Sequence, residues 1–134
     1  MPRDDVEILR AAYEALNRRD IPGTVAVLDE DAEWHEHSEL PEADSYRGRN
    51  AIQSFLESFL ESWDDFRQEV EDLIAENGKV LILLHMIGQG RGSGIRVEAR
   101  YAHLWTMRDG RGVRIDTYTD RAEALEALHA AHAG

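Results

Sequence analysis

The chain has 134 residues, 43% hydrophobic and 31% charged, the length and balance of one ordinary globular domain with a real core. No apolar run approaches the ~20 residues a membrane helix demands, and Met1-Pro2-Arg3-Asp4-Asp5 turns acidic at once, unlike a signal peptide, so no membrane role and a cytoplasmic address are expected. Fifteen Lys and Arg against 27 Asp and Glu give a net charge of −12, the wrong sign for nucleic acid, and the lack of cysteine excludes disulfides, thiolate metal sites and cysteine nucleophiles.

From Asp4 to about Arg19, Val6, Leu9, Tyr13 and Leu16 recur at helical spacing, and Asp20-Ile21-Pro22 closes that helix. A short second helix, about Pro22 to Leu28, turns Val25 and Leu28 inward. Ala32 to His37 reads as a strand with Trp34 between polar neighbours, and Ser38 to Gly48 as loop. Asn50 to Trp63 carries an unbroken apolar stripe through Ile52, Phe55, Leu56, Phe59, Leu60 and Trp63, with Asn50 and Gln53 as a capping box. Four strands follow: Phe66 to Ala75, Val80 to about Gly90, Ile95 to Met107, and Val113 to Thr119. They are joined by Asn77-Gly78, by Gly88 to Gly94, and by Asp109-Gly110-Arg111-Gly112. Asp120 caps a last helix that turns Ala124, Leu125 and Leu128 inward. The order ααβαββββα predicts a single α+β domain over residues 1–134, a cone-shaped curved antiparallel sheet wrapped around three to four helices on one face.

Hairpin arithmetic then predicts which side chains share a face. A last turn about Gly110-Arg111 sets His103 opposite Tyr118, Trp105 opposite Asp116 and Met107 opposite Arg114, with Tyr101 on the same face. That mixture of aromatic, imidazole and charged groups reads as a ligand pocket. The reverse face, with Ala102, Leu104, Thr106, Ile115 and Thr117, is a candidate subunit interface. The Asn77-Gly78 hairpin sets Val70 opposite His85, Asp72 opposite Leu83 and Ile74 opposite Leu81, with Phe66 and Ile87 on that face. The glycine-rich turn leaves its alignment to the His103 face weakly specified; the expectation is His85 inside.

The expected catalytic set is His103, Asp116 and Glu36, because an imidazole beside carboxylates in an aromatic site holds a pKa near neutrality, as proton transfer requires. Glu36 shares a strand face with Trp34 and projects toward the pocket mouth. The structural alternative makes His103 a core histidine satisfied by Asp116 or Tyr118. His35-x-His37 places two imidazoles on one strand face, but further metal ligands at suitable spacing are missing. The alternating glycines from Gly88 to Gly94 precede a strand and not a helix, which makes them a hairpin turn and not a phosphate loop. His129 and His132 lie in the alanine-rich tail and read as solvated.

The element order, Arg18-Arg19-Asp20 before the second helix, the run from Ala26 to Trp34, Tyr46-Arg47-Gly48-Arg49 before the third, and Arg108-Asp109-Gly110 with Tyr118-Thr119-Asp120 together resemble the SnoaL-like branch of the nuclear-transport-factor-2-like superfamily. The resemblance implies a conical pocket and a dimer through the outer sheet face. It spans ketosteroid isomerase, polyketide cyclases, scytalone dehydratase, limonene epoxide hydrolase and non-catalytic binders, so fold does not decide function. The isomerase's general base falls on Glu36, its oxyanion tyrosine on Ala12 beside Tyr13, and its protonated acid near His103. An epoxide hydrolase pattern is hinted at by Glu98, Arg100 and Asp116, although the register above separates Asp116 from the other two. A cyclase pairs a pocket histidine with an acid, and His103 with Asp116 or Glu36 is similar in type.

The expectation is a small-molecule-binding protein with an apolar pocket, acting as a cofactor-independent acid–base isomerase, cyclase or hydrolase on a small hydrophobic carbonyl or epoxide compound. The alternative is a non-catalytic binding or dimeric assembly module. Ligand contacts are expected from Tyr13, Trp34, Phe55 and Phe59, and from His85, Tyr101, Trp105 and Tyr118. No metal or other cofactor is implied, because these chemistries move protons or water.

Overall fold

The computed structural model describes residues 4–37, the side chain of His37 excepted, and 45–130. The first helix, α1 (Asp5–Asn17), is capped by Asp4, whose Oδ1 accepts from the backbone N–H of Val6 at 2.7 Å and of Glu7 at 3.3 Å. Arg19, at φ 65°, turns the chain out of the helix. Asp20 caps α2 (Ile21–Val25) through Gly23 N–H at 3.0 Å, and Pro22 sits in the first turn, where its missing donor costs nothing. The helix α3 (Arg49–Glu61) starts at Gly48, φ 93°, with no side-chain cap. The expected box is not formed: Asn50 already lies within the helix, and the Gln53 amide donates to Glu57 at 3.0 Å.

Six strands form one sheet in the order β2-β1-β6-β5-β4-β3. They are β1 (Leu28–His37), β2 (Ser45–Arg47), β3 (Trp63–Glu76), β4 (Lys79–Gly90), β5 (Arg96–Arg108) and β6 (Arg111–Tyr118). The pairing is antiparallel except that β1 runs parallel to β6, which brings the N-terminal half of the chain onto the meander. The predicted strand at Ala32 begins four residues earlier, and the predicted loop before Gly48 contains β2, paired to β1 through Trp34 and Tyr46. Residues 38–44 of that loop, and His132, lie outside the described residues.

Helices α1, α2 and α3 pack on one face of the sheet, their Leu9, Tyr13, Val25, Ile52 and Leu56 meeting Val80, Ile82, Leu84, Trp105 and Ile115. Each fully buried Leu or Ile of this core contributes about 2 kcal/mol. The last helix, α4 (Arg121–Ala130), corrects the expectation of helices on one face only. Its Ala124 and Leu128 pack on Leu81, Ala102 and Leu104, which alternate with the inner residues of β4 and β5 and therefore point the other way. The apolar centre of the outer face is thus covered by the chain's own helix. None of the helices among the described residues is long and apolar enough to cross a membrane.

Two one-residue bulges decide the faces. On β6, Met107 pairs with Gly112 and Thr106 with Arg114, so Val113 is the extra residue. The turn itself, Asp109-Gly110 with φ 53° and 76°, preserves the predicted facing; the bulge reverses it. Beyond it His103 pairs with Thr117, Trp105 with Ile115 and Leu104 with Asp116. On β3, Asp72 still pairs with Leu83 as predicted, but Val70 pairs with Leu84, leaving Glu71 as the extra residue and setting His85 opposite Glu69. Val70 and Phe66 are thereby turned inward and parted from His85.

Candidate functional site

Between the inner helices and the concave sheet face lies a cavity of about 300 Å³, at the small end of ligand sites. Its wall is largely apolar, with Phe55 and Phe59 from α3, Trp34 from β1, and Tyr101 and Trp105 from β5 among its members. Aromatic rings pack tightly there. Trp34 meets His103 edge-on at 5.3 Å between centroids and Phe55 at 5.5 Å, and Tyr101 lies 5.4 Å from His103.

His103 is the polar centre of this wall and is 5% exposed. Its Nδ1 lies 2.6 Å from the hydroxyl of Tyr13, which projects from α1, and that hydroxyl also accepts from Trp105 Nε1–H at 2.9 Å. Burial pushes the imidazole down to about 3 from its ordinary 6.5, so it is neutral across the physiological range. Burial likewise raises Tyr13 well above the usual phenol value, only partly opposed by the Trp105 hydrogen bond, and keeps it protonated. The expected imidazole poised near neutrality beside a carboxylate is therefore not what the fold builds: the bonded partner of His103 is a buried tyrosine.

Among the described residues the carboxylate in the cavity wall is Glu36. Its Oε1 accepts from Trp34 Nε1–H at 2.8 Å, and its Oε2 accepts from Thr117 Oγ1–H. Strand alternation places Trp34 and Glu36 on one face, and the parallel pairing of Glu36 with Thr117 brings the hydroxyl alongside. Tyr101 is hydrogen-bonded to the Gln68 side chain. Burial pushes its phenol up to about 12, with the Gln68 bond opposing and the Glu36 charge adding.

Of the catalytic set expected from sequence, the cavity wall holds His103 and Glu36 and excludes Asp116. The β6 bulge turns Asp116 to the outer face, where Arg114 Nε and an Arg114 terminal nitrogen reach its two oxygens at 2.9 to 3.2 Å. Of the eight expected ligand contacts, Tyr13, Trp34, Phe55, Phe59, Tyr101, Trp105 and Tyr118 border the cavity, and Tyr118 also packs on the outer cluster. His85 does not: it pairs with Arg100 while Ile82 pairs with His103, so alternation along β4 and β5 puts it on the outer face, with Nε2 2.7 Å from Glu98 Oε1 and Nδ1 3.9 Å from Glu69 Oε2. The proposed outer patch loses Ile115 and Thr117, which line the cavity, and keeps Ala102 and Leu104 under α4. Glu98 and Arg100 share the outer face with Asp116, away from the cavity, so the epoxide-hydrolase pattern is not assembled in it. Sequence reasoning missed Gln68 and the inward Thr117. Glycine at 112 was the available signal, since glycine inside a strand marks a bulge.

No group of three or more metal-ligating side chains converges among the described residues. His35 bonds to Glu33 and Ser45, each at 3.1 Å, and the side chain of His37 lies outside the described ones.

A family model for the SnoaL-like domain matches residues 9–115. The chain belongs to the SnoaL-like family, within the nuclear-transport-factor-2-like superfamily. This SnoaL-like domain is similar in structure to an NTF2-like protein from Burkholderia thailandensis, with 27% identity, a TM-score of 0.77 and coverage of 94% of this chain and 98% of that one. It is also similar to TerC crystallised with polyporic acid, at 22% identity, TM-score 0.76 and coverage of 91% and 95%. A third neighbour, of ketosteroid isomerase-like fold, comes from Catenulispora acidiphila and was solved in complex with trimethylamine; identity is 15%, TM-score 0.75 and coverage 84% of each chain. No curated protein matches the chain.

Proposed function

We propose that this SnoaL-like domain binds a small, mostly apolar molecule in the cavity and performs acid–base chemistry there on a hydrophobic carbonyl or epoxide compound. The observation that carries the reading is the meeting of Glu36 and His103 in the wall of one aromatic cavity, since apolar walls with a few convergent polar groups are how small-molecule sites are built. Complexes of two structural neighbours with organic small molecules, polyporic acid for TerC and trimethylamine for the Catenulispora protein, agree with it. Glu36 is the group suited to take a proton. His103, neutral and buried, is suited to hold a polar group of the substrate. The reading includes a homodimer through the part of the outer face that α4 leaves uncovered.

Titration with indane, an apolar bicyclic of suitable size, tests the cavity. The indole N–H resonances of Trp34 and Trp105 are expected to shift saturably, and Trp105→Ala, checked as folded by circular dichroism, is expected to abolish the response. Unchanged binding in that variant overturns the site. A screen of carbonyl compounds and epoxides tests the chemistry, and turnover that survives His103→Ala combined with Glu36→Gln removes the catalytic assignment.

A further inference from the structure

Hydrogen bonds in the wall have a direction that chemistry forces. An indole Nε1–H is a donor only, so Trp105 must give its proton to the Tyr13 oxygen at 2.9 Å. Tyr13 then has one proton of its own, and among the described residues the acceptor within reach of it is His103 Nδ1, 2.6 Å away. Were Nδ1 protonated instead, it and Tyr13 would both point hydrogens at one contact, leaving a buried hydroxyl hydrogen without an acceptor, which is costly in a low-dielectric interior. Nδ1 is therefore the acceptor, and a neutral imidazole carries its single hydrogen on the other nitrogen. Among the described residues no hydrogen bond engages His103 Nε2, and the ring lines the cavity.

We propose that Trp105 and Tyr13 form a one-way donor chain that fixes His103 as its Nε2–H tautomer, so that His103 gives a hydrogen bond to an acceptor oxygen, of the carbonyl or epoxide kind, on the apolar ligand. Tyr13 and Trp105 act as positioning residues through the ring. The nitrogen that could act as a base is occupied by Tyr13, so proton acceptance in the cavity falls to Glu36, whose two oxygens are oriented by Trp34 and Thr117. The ligand then meets a donor at His103 and an acceptor at Glu36, and the two groups have separate duties. The ligand half of the inference rests on the cavity reading above; the tautomer half does not.

Ring-nitrogen NMR of the uniformly 15N-labelled full chain at neutral pH tests the tautomer without any ligand, the His103 signals being assigned by their loss in His103→Gln. Expected is a protonated Nε2 and an unprotonated, hydrogen-bonded Nδ1. In Tyr13→Phe, which removes only the hydroxyl, the same signals are expected to move toward a mixture of tautomers, a change that a purely packing role for Tyr13 would not produce. An Nδ1–H or charged imidazole in the unsubstituted protein overturns the proposal, as does an unaltered tautomer in Tyr13→Phe. The ligand half is tested with 1-indanone against indane, which differ by one carbonyl oxygen. Expected is about tenfold tighter binding of the ketone, the gain of one buried hydrogen bond, with the Nε2 signal moved by the ketone alone. Equal affinities with Nε2 unmoved reject the donor role and leave the cavity reading standing. Failure of both compounds to bind rejects the cavity reading and the donor role with it, whatever the tautomer.

Discussion

A buried neutral histidine makes the fold sensitive to acid in a calculable way. In the unfolded chain His103 titrates near 6.5, whereas in the folded protein burial holds it to about 3. Between those values the unfolded state binds a proton that the native state refuses, so this residue's contribution to stability is intact above 6.5 and is lost as pH falls toward 3. The slope is about 1.4 kcal/mol per pH unit, so the loss relative to high pH is on the order of 1 kcal/mol by pH ~5.5 and grows further toward pH ~4.5. Urea unfolding of the unsubstituted protein and of His103→Gln at neutral pH and at pH ~5.5 isolates the term, because other titrating groups are common to both. Glutamine keeps an acceptor for Tyr13 and cannot titrate. Its variant starts less stable, through imperfect packing, but is expected to lose on the order of 1 kcal/mol less on acidification. An equal loss in both proteins, within the roughly 0.5 kcal/mol scatter of such extrapolations, would refute the claim that His103 is buried and neutral.

Two further outcomes follow from the bulge geometry. A methyl group on Gly112 would lie 2.5 and 2.7 Å from the Trp105 ring, so Gly112→Ala is expected to cost about 1 to 3 kcal/mol in urea unfolding and to shift the Trp105 indole resonance; a neutral substitution would mean that the ring does not cover Gly112. Asp116→Asn breaks the charge pair with Arg114 on the outer face, and is expected to lower stability by about 1 to 3 kcal/mol while leaving the indane affinity within about twofold. A large loss of indane binding in a folded Asp116→Asn protein would return Asp116 to the cavity.

The order of elements was legible because each declares itself locally. Asp120 announces the last helix, Asn77-Gly78 announces a two-residue turn with positive φ, the glycines after Asp109 announce another although it sits one residue earlier than the expected Gly110-Arg111, and the stripe through Ile52 and Leu56 gives the inward face of α3. What failed to read was β2, a three-residue edge strand whose existence depends on β1 as a partner, and the parallel pairing of β1 with β6 across some eighty residues of chain. Neither leaves a periodic trace in its own segment. The facing of Asp116, and the pairing of Val70 with His85, failed for a sharper reason. Side-chain alternation has a period of two, so one inserted residue reverses everything beyond it, and the two residues that do so, Glu71 and Val113, have nothing unusual in their type.

The same arithmetic explains why Glu36, Tyr101, His103 and Trp105 could be placed in the wall while the partner of His103 could not. Tyr101, His103 and Trp105 lie on one strand at spacing two, and Trp34 and Glu36 on another, so each set shares a face whatever the register between strands. The contact that determines what His103 can do comes from Tyr13 on α1, ninety positions away. Helical spacing turns Tyr13 inward but does not specify which strand residue it meets. That meeting is set by the packing of α1 against the concave sheet, and it puts a neutral phenol where a carboxylate would have favoured a charged imidazole, so that burial alone decides and keeps the ring neutral. A sequence with the same His103 and Glu36 but phenylalanine at position 13 would have the same fold pattern and a different distribution of protons in its cavity. The chemistry of this site therefore depends on a helix-to-sheet contact that neither strand alternation nor helix periodicity encodes.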